Sequence, residues 1–112
     1  MWQFRRKKKQ GWTPWLQRFV DLTDAPETPM DVMKEHLRRG LDESDTRDNA
    51  ATAVVILAIA RAIHEHTGDA TAVECVDLYD WDGFFDAWEK AETAIGGVVS
   101  NPRDAVRGYG ER

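Results

Sequence analysis

Cysteine is nearly absent from the sequence, because Cys75 is the only one among 112 residues. This excludes an intramolecular disulfide and is typical of a protein that folds in a reducing compartment. Cys75 lies on the apolar side of a helical pattern, so we interpret it as a buried, inert thiol and not as a nucleophile.

Long apolar runs are also missing. The longest run, residues 53–60, has eight residues, whereas a membrane-spanning helix needs about 20. The basic residues near the N-terminus are not followed by an apolar region, so we expect no secretory signal. These absences predict a cytoplasmic protein.

Sequence signatures of catalysis are absent as well. The chain contains no GxSxG, no phosphate-binding P-loop and no GxGxxG. His64 and His66 are two residues apart, so on a helix they point about 200° away from each other and cannot share a metal ion. His36 is distant in sequence, so it shares a metal ion with either of them only if the tertiary fold brings them together. We therefore predict a protein that is not an enzyme and has no catalytic residue, metal or cofactor.

The charge is unevenly distributed along the chain. The net charge is −5, yet residues 1–20 contain six basic and no acidic residues, whereas residues 21–100 contain 18 acidic and six basic ones. The sequence therefore predicts an acidic body with a flexible basic N-terminal arm, residues 1–11. Such asymmetry indicates binding partners.

The arm, residues 1–11 with the adjoining Trp12, interleaves bases with aromatic rings. Its candidate contact residues are Trp2, Arg5, Arg6, Lys7, Lys8, Lys9 and Trp12. This composition fits contact with nucleic acid by phosphate neutralisation and base stacking. It equally fits an anionic membrane, the acidic body of a neighbouring subunit in a homo-oligomer, or a solvated tail.

Residues that start and stop helices divide the body of the chain. Thr13 as a cap and Pro14 in the first turn predict a short first helix. Thr28 as a cap, Pro29 as the first helical residue and Gly40 as the terminator predict a second helix.

The central helix is predicted over residues 46–67, ending at Gly68, and it is apolar on nearly every face. A helix of this kind is buried by its neighbours. Residues 69–79 fit both a helix and a strand, and we choose a helix because no other segment supplies a pairing strand. The predicted fold is all-α, a compact bundle of four to five helices in one domain, residues 12–108, followed by a tail at 109–112.

The segment DLYDWDGFFDAWEKA, Asp77 to Ala91, partly resembles the calcium-binding loop of EF-hands. With Gly83 at the sixth position, carboxylates occupy the third, fifth, ninth and twelfth positions. These carboxylates are Asp80, Asp82, Asp86 and Glu89. Leu78 stands at the first position, where a carboxylate is required, so we predict a helix capped by Asp80 in place of a metal loop.

The same segment contains an aromatic stripe at helical spacing. Its members are Trp81, Phe84, Phe85, Trp88, Ala91 and Ile95. Such a stripe is typical of a helix face buried in the core. Because tryptophan is also enriched at binding hot spots, a core stripe with one edge facing a partner stays open as an alternative.

Residues 30–68, MDVMKEHLRRGLDESDTRDNAATAVVILAIARAIHEHTG, resemble the opening of small α-helical head–tail adaptor proteins of tailed phages. The common features are a short helix, an acidic turn and a long alanine-rich helix that ends in Thr-Gly. The resemblance implies a structural assembly component, located within a virion. The basic arm and the aromatic helix depart from it, so no site or partner residue is carried over.

Taken together, the residues predict a non-catalytic protein-binding or accessory protein, such as an inhibitor, an immunity-type protein or an assembly factor. The predicted contact face for a basic protein partner consists of Tyr79, Asp80, Asp82, Asp86 and Glu89. An acidic surface steers association with basic partners. The alternative is a phage-type assembly component whose basic arm contacts a neighbouring subunit or nucleic acid.

Overall fold

The structure is a computed structural model that describes residues 13–25 and 27–95. The basic arm at 1–11, Trp12 and the tail at 109–112 lie outside the described residues. The predicted contacts of the arm therefore stay predictions.

The described residues form five α-helices and no strand, which confirms the all-α prediction. The helices are α1 (Pro14–Thr23), α2 (Met30–Asp42), α3 (Thr46–Thr67), α4 (Thr71–Asp77) and α5 (Trp81–Ile95). None of these described helices combines the length and the apolar character that crossing a membrane requires.

The first helix begins as its sequence predicts. Thr13 Oγ1 accepts a hydrogen bond from Leu16 N at 3.1 Å, and Pro14 occupies the first turn, where its missing N–H is not needed. The amphipathic pattern of α1 then buries Trp15 and Phe19 against the core.

The predicted bounds of α2 were wrong at both ends. Pro29 has an extended conformation, with φ −67° and ψ 151°, and its carbonyl accepts from Met33 N at 3.3 Å. Pro29 is therefore the residue before the helix, and Thr28 does not cap it. At the other end, α2 continues through Gly40 to Asp42.

Gly40 serves packing and does not terminate α2. A Cβ on this residue would overlap Thr52 Oγ1 of α3 and would lie 2.6 Å from a ring carbon of Trp15 of α1. A glycine at this position allows three helices to approach one another closely.

The central position of α3 is confirmed, because it contacts each of the four other helices. Its carboxyl end is closed by Gly68, which has φ 77° and donates its N–H to His64 O at 2.8 Å. One side of α3, including Val55 and Ile59, is fully buried, whereas Val54 and Leu57 are only partly buried. The helix is thus a core element with one half-buried side.

Residues 71–77 are helical, as predicted. The residue at the cap position of α4 is Ala70, whose side chain cannot accept a hydrogen bond from the helix. Asp69 takes that role and accepts from the Thr71 hydroxyl at 2.7 Å and from the Thr71 N–H at 3.0 Å. These two hydrogen bonds, the side-chain one first, lower the pKa of the Asp69 carboxyl.

The aromatic helix α5 begins at Trp81, as predicted, and Asp80 caps it by accepting from Gly83 N at 3.0 Å. The stripe on α5 is core, since Phe84, Phe85 and Trp88 are at most 1% exposed. Trp88 and the two phenylalanines pack against one another with ring centroids 5.1–6.4 Å apart.

Candidate functional site

The tight turn between α4 and α5 presents two large apolar side chains to solvent. We call residues 77–82 the α4–α5 corner. Leu78 is 77% exposed and Tyr79 is 76% exposed. Within the part of the chain that the structure describes, the next most exposed large hydrophobic side chain is Val32, at 44%. The corner is therefore the most pronounced apolar feature of the described surface.

Backbone hydrogen bonds hold this turn in one conformation. The Tyr79 N–H donates to Val76 O at 3.0 Å, and the Asp80 N–H donates to Cys75 O at 2.8 Å. Tyr79 has φ 57°, in the left-handed region that few non-glycine residues adopt. Its ring lies edge-on to Trp81, with centroids 5.7 Å apart and an interplanar angle of 74°. A strained residue kept in place by its surroundings is a frequent feature of functional sites.

The carboxyl end of α2 lies beside the corner and forms with it an open surface pocket of about 460 Å³. We call this the corner pocket. Its lining residues are Arg38, Leu41 and Asp42 from α2 and Tyr79, Asp80, Trp81 and Asp82 from the corner. The pocket thus combines two aromatic rings, one aliphatic side chain, three carboxylates and one guanidinium.

We call the contact between α2 and α5 the seam. Two cationic side chains of α2 form ion pairs across it. Arg38 Nη1 lies 3.0 Å from Asp82 Oδ1, and the guanidinium carbon lies 4.0 Å from the centre of the Phe85 ring. One turn away, Lys34 Nζ lies 3.1 Å from Glu92 Oε1 and 4.8 Å from the Trp88 ring. The cations cover the edge of the aromatic stripe that faces α2. Among the stripe residues whose burial is described, 81–91, Trp81 is partly buried and the others are buried.

The structure divides the predicted acidic face into two parts. Tyr79, Asp80 and Asp82 line the corner pocket. Asp86 and Glu89 are exposed further along α5, where they border a different groove with Lys90 and Thr93. Asp82, Asp86 and Glu89 share one side of α5 at helical spacing, so the separation runs along the helix axis. Asp82 lies in the first turn and pairs with Arg38 of α2, whereas Asp86 and Glu89 follow one and two turns later.

Cys75 is half-buried and packs against Gly83, where an added Cβ would lie 2.8 Å from Sγ. Burial raises the pKa of the Cys75 thiol, and the nearby carboxylates of Asp80 and Glu74 raise it further. The reactive thiolate is therefore disfavoured at neutral pH.

The three histidines lie apart. His36 is buried, with its ring parallel to Trp15 and Phe19 at centroid distances of 5.5 and 5.9 Å. His64 and His66 are exposed in the last turn of α3. Among residues 13–25 and 27–95, no group of three or more His, Cys, Asp or Glu side chains could hold a metal ion.

Four residues of this site were not among the sequence predictions. Arg38, Leu41 and Asp42 precede the corner by about 40 residues in the sequence, and no local pattern connects them to it. Leu78 was considered only as a missing calcium ligand. Its position off the apolar stripe of α4, directly after Asp77, was a signal that it would be exposed.

The sequence has no significant match to a protein-family model, to a curated protein or to a solved structure. The similarity of residues 30–68 to phage head–tail adaptors therefore stays a prediction.

Proposed function

We propose that this protein is a non-catalytic protein-binding or accessory protein that binds a basic partner through the α4–α5 corner. The observation that carries the proposal is the pair Leu78 and Tyr79, each more than three-quarters exposed on a closed turn. A monomeric protein gains nothing in stability from presenting two such side chains to water.

The energetics of the corner suit a binding hot spot. Burying a large apolar side chain contributes about 1.5–3 kcal/mol, so Leu78 and Tyr79 together supply about 3–6 kcal/mol against a complementary surface. Because the turn already holds the backbone, the entropy lost on binding is smaller than for a mobile loop.

The charges around the corner favour a basic partner. Asp77, Asp80 and Asp82 are all exposed within five residues of one another. Residues 21–100, to which the corner belongs, carry three times as many acidic as basic side chains. An acidic field of this kind accelerates the association of basic partners and selects against acidic ones.

The same surface suits an inhibitor, an immunity-type protein or an assembly factor, because all three bind a protein partner without catalysing a reaction. The assembly alternative, in which the basic arm at 1–11 contacts a neighbouring subunit or nucleic acid, is supported by the charge difference between the arm and the acidic body.

The proposal is tested by affinity capture from the native host with three tagged proteins in parallel. These are the wild type, the double variant Leu78→Ser/Tyr79→Asn and the control Val32→Ser, which removes an exposed apolar side chain from α2. Asparagine is chosen because it tolerates the left-handed conformation of residue 79. Circular dichroism verifies that all three remain folded.

We expect one protein to be recovered with the wild type and with the control and to be lost with the double variant. Recovery of the same protein with all three baits would contradict the proposal. A fourth bait that lacks residues 1–11 tests the assembly alternative. If the partner or nucleic acid is lost with this bait and recovered with the other three, the arm is the binding segment.

A further inference from the structure

We infer that the corner pocket receives one cationic side chain, an arginine or a lysine, from the partner. The inference rests on the proposed function and specifies the chemical group that the partner presents. It depends on three properties of the pocket, which are its unmatched charge, its aromatic walls and its position beside the exposed corner.

The pocket carries an excess of negative charge. Three carboxylates, of Asp42, Asp80 and Asp82, line it together with one guanidinium, of Arg38. Arg38 is already paired with Asp82 at 3.0 Å. The side chain of Asp42, the last residue of α2, has no hydrogen bond or ion pair with any residue that the structure describes. A further cation in the pocket would therefore meet a carboxylate whose charge no described group balances.

One of the other two carboxylates is held in position before binding. Asp80 Oδ1 accepts a hydrogen bond from Gly83 N at 3.0 Å, so little entropy is lost at this carboxylate when a ligand arrives. The side chain of Asp82 is 89% exposed, and its Oδ1 receives Arg38, so its second oxygen stays accessible.

The aromatic residues complete the recognition of a cation. Tyr79 and Trp81 meet edge-on at 5.7 Å, so their ring faces point in different directions. Ring faces attract ammonium and guanidinium groups, and tryptophan does so most strongly. Leu41 offers an apolar contact for the aliphatic stem of an arginine or lysine side chain. The volume of about 460 Å³ lies in the range of sites for small groups.

An anionic ligand does not fit the same pocket. Its lining has a net charge of −2, and the single cation, Arg38, is paired with Asp82 and stacked on Phe85. An incoming anion would meet uncompensated repulsion from Asp42 and Asp80.

The test is an NMR titration of the full-length protein labelled with ¹⁵N. The probes are the N-acetyl amides of arginine, of lysine and of citrulline, the last being an uncharged analogue of arginine. The reporter is the indole N–H of Trp81, assigned from the spectrum of Trp81→Phe. We expect saturable shifts with arginine and lysine, and weaker binding of citrulline because it lacks the charge.

Two variants locate the site. Asp42→Asn removes the unpaired carboxylate, and we expect it to weaken arginine binding about two- to fivefold, the range for one exposed charge pair. Glu35→Gln, which removes an exposed acid of α2 that does not line the pocket, should leave binding unchanged. If citrulline binds as tightly as arginine, or if the two variants weaken binding equally, the inference is wrong.

The partner capture separates this inference from the proposed function. If Leu78→Ser/Tyr79→Asn abolishes capture and Asp42→Asn leaves the affinity for the partner unchanged, the corner binds the partner and the cation pocket is wrong. If the double variant captures the partner normally, the proposed function is wrong, and the titration decides separately whether the pocket binds a cation.

Discussion

Substituting Gly40 by alanine tests the packing of three helices with a single added methyl group. Gly40 lies inside α2, not at its end, so alanine there should strengthen the helix by about 1 kcal/mol on intrinsic propensity alone. The structure predicts the opposite sign. The new Cβ would overlap Thr52 Oγ1 and would lie 2.6–2.7 Å from two ring carbons of Trp15.

The magnitude follows from how little the two neighbours can move. Trp15 is 3% exposed and Thr52 is fully buried. The Thr52 hydroxyl donates to Asp48 O at 2.7 Å, and the Trp15 indole donates to His36 O at 3.1 Å. Relief of the overlap therefore breaks a hydrogen bond or separates helices, and overpacking of this kind costs about 1–3 kcal/mol, occasionally more. With two buried neighbours we take the upper value, so the net destabilisation is about 2 kcal/mol.

The measurement is urea unfolding of Gly40→Ala, followed by far-ultraviolet circular dichroism. Thr52→Ala and the double variant complete a mutant cycle that isolates the contact from any general effect on α2. Thr52→Ala removes the overlapping oxygen, so Gly40→Ala should cost less in that background. If Gly40→Ala is as stable as the wild type, the close three-helix contact is refuted. The same holds if the changes in unfolding free energy of the two single variants simply add in the double variant.

Two further predictions concern ionisable side chains. Burial lowers the pKa of His36 below its ordinary value of 6.5, so the unfolded chain binds more protons than the folded one and stability should fall as the pH drops below 6.5. Urea midpoints between about pH 7 and pH 5 should therefore change less for His36→Gln than for the wild type, and equal slopes would show that this histidine is not responsible. In the seam between α2 and α5, the Glu92 side chain is 20% exposed and that of Asp82 is 89% exposed. Glu92→Gln should destabilise the protein more than Asp82→Asn, which should stay within about 0.5 kcal/mol; the reverse order in urea unfolding would contradict the burial argument.

The helical content of the chain was predictable because it depends on local chemistry. Thr13 and Asp80 cap helices, and Gly68 stops one, because each acts on backbone groups within a few residues of itself. The core face of α5 was predictable for the same reason, since the helical repeat places its aromatic rings on one side. Pro29 was misplaced by one residue because its fixed φ is compatible with both the cap and the first turn.

The candidate site was only partly predictable. Tyr79, Asp80 and Asp82 were identified because acidic and aromatic residues crowd together in the sequence. It was not predictable that only these residues border the corner pocket while Asp86 and Glu89 border another groove, because this depends on where the carboxyl end of α2 lies along α5.

The sequence by itself determined an all-α bundle of four to five helices, one aromatic core face and an acidic body, because hydrophobic period, capping and charge are properties of neighbouring residues. Only the tertiary structure decided what Gly40 and Arg38 do. Gly40 reads locally as a helix stop but allows three helices to meet, and Arg38 pairs with a carboxylate 44 residues away. It also decided that Phe84, Phe85 and Trp88 of the aromatic stripe are buried inside the fold, while Trp81 is only partly buried and Leu78 and Tyr79 remain outside. The physical reason is that burial is set by the partners a helix packs against, and those partners are distant in sequence.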